Sequence, residues 1–237
     1  MTTTRNEITG AYGAHLPSRH RPLPSPLGDS EPDHDCPLCP RLVDFRHQQR
    51  TAFPDWWNAP VQSFGDPDAW LAIVGLAPGL QGANRTGRPF TGDRSGPLFY
   101  NTLLKVGLAT GEFQQRADDG LELNGAIIIN AVRCVPPQNK PTPEEVRNCR
   151  PFLEAGLGAL PNLKAVVALG QIAHQSAVKA LGGKLPKCPF GHGARHRMPS
   201  GVLVFDSYHC SSYNQNTGRL TPKMFEAVFA EAMALKP

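Results

Sequence analysis

The chain has 237 residues, 40% hydrophobic and 19% charged, enough for one sizeable α/β core. Lys and Arg total 24 against 20 Asp and Glu, a formal charge of +4, and arginines gather in the loops described below, which favours a polyanionic partner. No run of about 18 apolar residues occurs, which excludes a membrane-spanning helix, and the first 35 residues lack the hydrophobic core of an export signal, so a cytoplasmic location is expected.

Residues 1–34 are rich in Pro, Ser, Gly and charge and read as a flexible N-terminal segment. A single packed domain is expected over residues 35–237. It opens on Cys36 and Cys39, a C-x2-C pair with each cysteine followed by proline. The first buried strand is WLAIVG, Trp70 to Gly75, followed by the polar, glycine-rich stretch Gly75 to Pro97 and a helix starting near Pro97. GAIIIN, Gly125 to Asn130, is the second strand. Its helix has Thr142 as N-cap, Pro143 at the first position and Glu145 completing a capping box. KAVVALG, Lys164 to Gly170, and GVLVFDS, Gly201 to Ser207, are the third and fourth strands, and Thr221 with Pro222 starts the last helix. Short, continuous Val/Ile-rich runs alternating with helices imply a parallel sheet covered on both faces. Such sheets bind ligands beyond the carboxyl ends of their strands, where this chain reads GLAPG, NAVRCVPP, GQIAH and YHCSSYN.

Six cysteines in a chain with no export signal point to metal binding or reactive thiols over disulfides. Cys36, Cys39, Cys134 and Cys149 can form one four-thiolate site, and by spacing alone zinc and an iron–sulfur cluster are both open, as are four unrelated buried thiols. Cys188 and Cys210 have no matched partner and read as core or loop residues.

The stretch from Gly75 to Pro97 carries six glycines, three arginines and one acid, Asp93. Neither G-x-G-x-x-G nor G-x-x-x-x-G-K-[ST] is present, so a nucleotide-phosphate cradle is disfavoured. Backbone amides at Gly75 to Gly79, the flat face of Phe90 and the carboxylate of Asp93 suit a planar polar ring held for chemistry, with Arg85, Arg88 and Arg94 to meet phosphates. Phe90 as core and Asp93 as a helix cap are the plainer readings of those residues. Asn130 ends a buried strand with an amide that can read adjacent C=O and N–H groups, or it forms a turn. His209 closes the fourth strand ahead of hydroxyls that suit phosphate, and a purely structural histidine is the alternative.

Taken together, GLAPG…GANRTGRPFTGD, NAVRCVPPQNKPTPEEVRNC and HCSSYNQNTGRLT resemble the three motif blocks of family 5 (B-type) uracil-DNA glycosylases, over roughly Cys36 to Thr221. The A-type family has an acid where this chain has Leu76, and family 1 has an aspartate where Ala77 stands. The resemblance implies a three-layer α/β/α fold with a central four-stranded parallel sheet. It also implies a [4Fe–4S] cluster on Cys36, Cys39, Cys134 and Cys149. By position it implies a base pocket lined by Gly75, Leu76, Ala77 and Gly79, with Phe90 stacking on the base and Asn130 reading its edge. Asp93 is then the acid that activates water or stabilises the sugar cation, and His209 the donor to the departing base. Ser211, Ser212 and Asn214 hold or wedge the DNA. One departure stands out: Cys210 occupies the position after His209 where the family usually has proline. The implied activity is monofunctional hydrolysis of uracil and other deaminated or damaged bases (hypoxanthine, ethenocytosine, hydroxymethyluracil) from double- or single-stranded DNA by a monomer. A uracil-restricted A-type enzyme and a non-catalytic iron–sulfur DNA-binding protein are the alternatives.

Overall fold

The computed structural model describes residues 25–237; most of the expected flexible segment, residues 1–24, lies outside the described residues. Packing begins earlier than the expected boundary at Asp35. Leu27 is buried against the core, and Glu31 forms an ion pair of 2.9 Å with Arg133, both side chains almost fully enclosed. An apolar residue and a paired charge draw these residues onto the domain, which the polar composition around them obscures.

The elements run α1 (Pro40–Ala52), β1 (Phe64–Gly65), β2 (Leu71–Gly75), α2 (Ala83–Thr86), α3 (Gly96–Lys105), β3 (Ala109–Thr110), β4 (Glu122–Leu123), β5 (Ala126–Asn130), α4 (Pro143–Gly158), β6 (Ala165–Leu169), α5 (Gln171–Ala180), β7 (Arg195–Arg197), β8 (Leu203–Ser207), α6 (Ser212–Asn216) and α7 (Pro222–Met233). The main sheet has the order β1-β5-β2-β6-β8-β7, and β3 pairs with β4 in a separate hairpin. The four central strands are parallel and coincide with the four apolar runs; β1 and β7 add short antiparallel edges.

Side chains alternate across the sheet, and each face has its own core. Leu71, Ile73, Ile128, Val167 and Phe205 pack with Phe99 and Leu103 of α3 and Phe225 and Phe229 of α7. Ala72, Val74, Ile127, Ile129, Val166 and Val204 pack with Leu153 and Leu157 of α4 and Ala173 and Ala177 of α5. This is the expected three-layer α/β/α architecture. The helix starts also match: Thr142 and Glu145 form a reciprocal capping box on α4, and Thr221 caps α7. Among the described residues no helix is long and apolar enough to cross a membrane.

One buried ionic cluster stands apart from the strand ends. His174 Nδ1 lies 2.6 Å from Asp206 Oδ1 and its Nε2 2.9 Å from the Cys188 carbonyl. Both ring nitrogens face acceptors, so both carry protons and the ring is an imidazolium paired with Asp206. Burial alone would push the His174 proton off, but the hydrogen bond and charge of Asp206, helped by the Cys188 carbonyl, leave its pKa raised.

Candidate active site

The loops leaving β2, β5 and β8 converge on one open cleft. Register sets its floor. Gly75 at the end of β2 pairs with Asn130 at the end of β5, and a Cβ at Gly75 would collide with the Asn130 amide oxygen and approach the Phe90 ring to 3.2 Å. Glycine is therefore what lets the amide and the ring share this corner. Asn130 is buried yet lines the cleft, and among the described residues no hydrogen bond engages its amide. An amide that fronts the cleft in this way can offer both a donor and an acceptor to a ligand.

Phe90 belongs to the core and also borders the cleft. It stacks on Phe99 with centroids 4.2 Å apart and so belongs to the core, while its ring also lines the cleft, 5.9 Å from that of His209. Its backbone is left-handed, φ +52°.

Asp93 also does two things at once. Oδ1 accepts from the backbone N–H groups of Ser95 at 2.9 Å and Gly96 at 3.3 Å, closing the first turn of α3. Oδ2 faces Gly79 and Gly82, on the cleft side; any side chain at Gly82 would run into it. His209 shares the cleft, and burial pushes its pKa below the ordinary histidine range while the nearby Asp93 charge pulls the other way. The ring is thus neutral near pH 7, carrying one N–H to donate and no net charge.

Leu76, Ala77, Gly79, Arg94, Ser211 and Ser212 line the same cleft. Three other expected contacts are engaged elsewhere. Arg88 does not meet phosphates: its side chain is 1% exposed and forms a bidentate pair with Asp119, both contacts 2.7 Å. The carboxylate satisfying it comes from 31 positions along the chain, so local charge alone suggested an exposed cation. Arg85 donates from Nε to the Gln81 carbonyl at 2.9 Å and from Nη2 to that of Gly92 at 3.5 Å, stapling the loop it sits in. Asn214 Nδ2 donates to the His209 carbonyl at 2.8 Å, and Gln215 Nε2 to that of Cys210 at 2.7 Å. These two bonds hold the segment on which proline was absent. Cys210 itself is fully buried in the core, as the plainer reading of that cysteine has it.

Sequence reasoning missed Gln115, Asn139 and Gly82 on the cleft and Tyr213 beside it, the last 70% exposed next to Ser212. Gln115 and Asn139 have left-handed backbones, φ +60° and +56°. For Asn139 the Pro-Pro-Gln-Asn run was a usable turn signal; for Gln115 there was none.

On the far side of the β5–α4 turn, Cys36, Cys39, Cys134 and Cys149 line one small cavity with Leu42, Val132 and Phe152. Donors reach three of the sulfurs: the Arg133 backbone N–H to Cys149 at 3.3 Å, Asn148 Nδ2 to Cys39 at 3.8 Å, and Arg46 Nη1 to Cys134 at 3.9 Å. Burial raises the Cys134 thiol to about 12 and the Cys149 thiol to about 11, with the neighbouring cysteines adding to the shift at each.

Asn130, Phe90, Asp93 and His209 thus converge on one strand-end cleft, and the chain that carries them is similar in sequence to known proteins. Residues 62–232 match the family model described as the uracil DNA glycosylase superfamily. The chain is 46% identical over 205 residues to a type-5 uracil-DNA glycosylase of Thermus thermophilus, covering 84% of this chain and 93% of that protein. It belongs to the type-5 family of that superfamily. Type-5 uracil-DNA glycosylases of Mycobacterium tuberculosis and Pyrobaculum aerophilum are 44% and 41% identical to it over 208 and 204 residues. Each alignment covers 84% of this chain, and 78% and 88% of those proteins respectively.

Proposed function

We propose that the chain is a monofunctional DNA glycosylase that hydrolyses the N-glycosidic bond of uracil in DNA and leaves an abasic site. One observation carries this reading: Asp93 directs one carboxylate oxygen toward the cleft while the other is tied to α3, and a neutral His209 stands in the same cleft. Breaking the bond leaves positive charge on the sugar and negative charge on the base. A fixed carboxylate and a fixed N–H donor stabilise opposite ends of that transition state. Each is worth about 3 kcal/mol by comparison with single oxyanion-hole donors.

The target base must leave the duplex to reach these groups. Phe90 offers it a face, and the free Asn130 amide offers a donor and an acceptor to its edge. His209 donates to the base carbonyl as its charge grows. Asp93 holds the oxocarbenium-like sugar and accepts a proton from the attacking water. Arg94, Ser211 and Ser212 take the flanking phosphates, and the exposed ring of Tyr213 fills the gap left in the stack. Among the described residues no lysine lines the cleft, which supports hydrolysis over Schiff-base chemistry.

Further deaminated or damaged bases, including hypoxanthine, ethenocytosine and hydroxymethyluracil, belong to the same proposal. Single-turnover excision across a panel of these lesions, in duplex and single strands, tests the proposal. Alkali-labile product from uracil-containing strands is the expected result. No excision of any lesion would leave a DNA-binding module, and breaks without heat or alkali would rule out the monofunctional reading.

The four cysteines are proposed to hold a [4Fe–4S] cluster. The donor set is four thiols lining one cavity, with donors reaching three of the sulfurs, and thiolates so hydrogen-bonded suit an iron–sulfur cluster. Arg46 is buried beside them with its Nε unpartnered, a cation suited to an anionic group. When bound, the cluster cross-links the start of α1 to the β5–α4 turn that carries Asn139. Four iron and four sulfide per chain are expected on analysis, with loss of the brown colour in Cys36→Ser; a colourless zinc protein would overturn the assignment.

A further inference from the structure

Arg88, discarded as a phosphate contact, is part of an arrangement that the catalytic reading does not use. Its guanidinium is enclosed by three aromatic rings, with Cζ at 5.3 Å from the centroids of Phe64 and Tyr100 and 5.8 Å from that of Phe113. Burying an ion pair this completely seldom stabilises a fold more than apolar residues of the same volume would. What the pair touches suggests a different use.

On one side, Arg88 Nε donates to Thr91 Oγ1 at 2.7 Å, and Tyr100 Oη, packed against the same guanidinium, donates to the Pro89 carbonyl at 2.7 Å. These bonds bracket Phe90, whose left-handed backbone is unfavourable for a residue with a Cβ and persists only where its surroundings impose it. On the other side, Asp119 Oδ2 accepts the Gln114 backbone N–H at 2.9 Å and Oδ1 accepts that of Leu121 at 3.2 Å. These bonds close the turn carrying Gln115, also left-handed, onto the cleft rim. One ion pair therefore ties the floor of the cleft to its rim, across a hairpin with no other role in the site. Gln115 is exposed, and among the described residues its amide makes no hydrogen bond.

Resting on the glycosylase reading, we propose that Arg88 and Asp119 are positioning residues that set the Phe90 ring and the Gln115 amide relative to each other, and that Gln115 contacts the extruded nucleotide and helps select its base. The pair acts through geometry and touches no substrate. Its removal should therefore separate catalysis from stability.

The test compares the parent with Arg88→Met/Asp119→Leu, Asp119→Asn and Gln115→Ala in single-turnover excision of uracil and hypoxanthine, binding to abasic-site DNA, and thermal melting. The apolar double variant loses the acceptors of the Gln114 and Leu121 N–H groups and is expected to melt below the parent, yet, assayed well below its melting temperature, to keep DNA binding within about threefold while its uracil excision rate falls at least tenfold. Asp119→Asn keeps the shape and an acceptor for Leu121 and should show the same split to a smaller degree, which keeps the test open if the double variant does not fold. Gln115→Ala should melt like the parent and change the uracil-to-hypoxanthine rate ratio at least fivefold. Excision that returns to the parental rate whenever stability does would make the pair structural only, and an unchanged base ratio in Gln115→Ala would remove its role in selection. A parent inactive on every base would instead sink the glycosylase reading, a distinguishable failure.

Discussion

Asp93 combines an observed role, holding the start of α3, with the catalytic role proposed for it. Because Oδ1 is committed to the backbone of Ser95 and Gly96, the carboxylate cannot rotate, and Oδ2 is presented to the cleft at no further ordering cost. Asparagine at this position keeps Oδ1 as an acceptor but replaces the second oxygen with an amide. Asp93→Asn is therefore expected to melt like the parent and to bind DNA, with single-turnover excision reduced about 10²–10³-fold; melting curves beside excision rates check both halves. The residue types were legible at the outset, and so was the cap. What a linear reading could not supply was orientation, that one oxygen is tied to α3 while the other faces the cleft, or that Arg88 and Arg94, six positions apart, lie on opposite sides of the burial boundary. Charge is a local property of the chain, while the partner that buries Arg88 is supplied by a distant hairpin.

Among the elements, the four central strands were readable because each is largely buried on both faces and so opens on an unbroken apolar run. The edge strands were not. β1 is two residues long and β7 reads Arg-His-Arg, with none of the alternation or length that marks a strand; their place is decided by the partner strand they cover. Helix α4 stands at the other extreme. Its N-terminus was written in Thr142, Pro143 and Glu145, and the structure adds that Glu145 also receives Arg41 of α1, with both contacts 2.7 Å. The capping box thereby clips α1 to α4 beside the four cysteines. Thr142→Ala removes the acceptor for the Glu145 N–H and should cost about 1 kcal/mol, measured by chemical denaturation. Excision at low temperature should be unchanged, because the cap touches nothing in the cleft.

Over the whole molecule, histidines pull the stability curve in opposite directions. His174 has a raised pKa in the fold, so its contribution is fully present below the unfolded value of about 6.5 and is lost as pH rises through the folded value. His192 and His209 have lowered values, from burial in each case, so their contribution is present above about 6.5 and is lost as pH falls below it. The melting temperature should therefore peak near neutral pH and decline on both sides. Replacing the buried pair with His174→Leu/Asp206→Leu should flatten the alkaline limb and leave the acid limb in place, as melting scans from pH 5.5 to about 9 would register. A steady rise across that range would contradict the imidazolium at His174.

The glycines of the first loop carry a consequence for how this protein can change. At Gly75, Gly82 and Gly96 the space a side chain would need is taken by the Asn130 amide, the Asp93 carboxylate and the Phe90 carbonyl respectively. The floor of the cleft is thus closed to gradual mutation: a single methyl group at any of the three displaces a group the site depends on. The rim is open. Gln115 and Arg94 project from the surface with no comparable crowding. Variants selected in the laboratory for a new base should accumulate changes there first, leaving the glycines untouched even when activity is all that is selected.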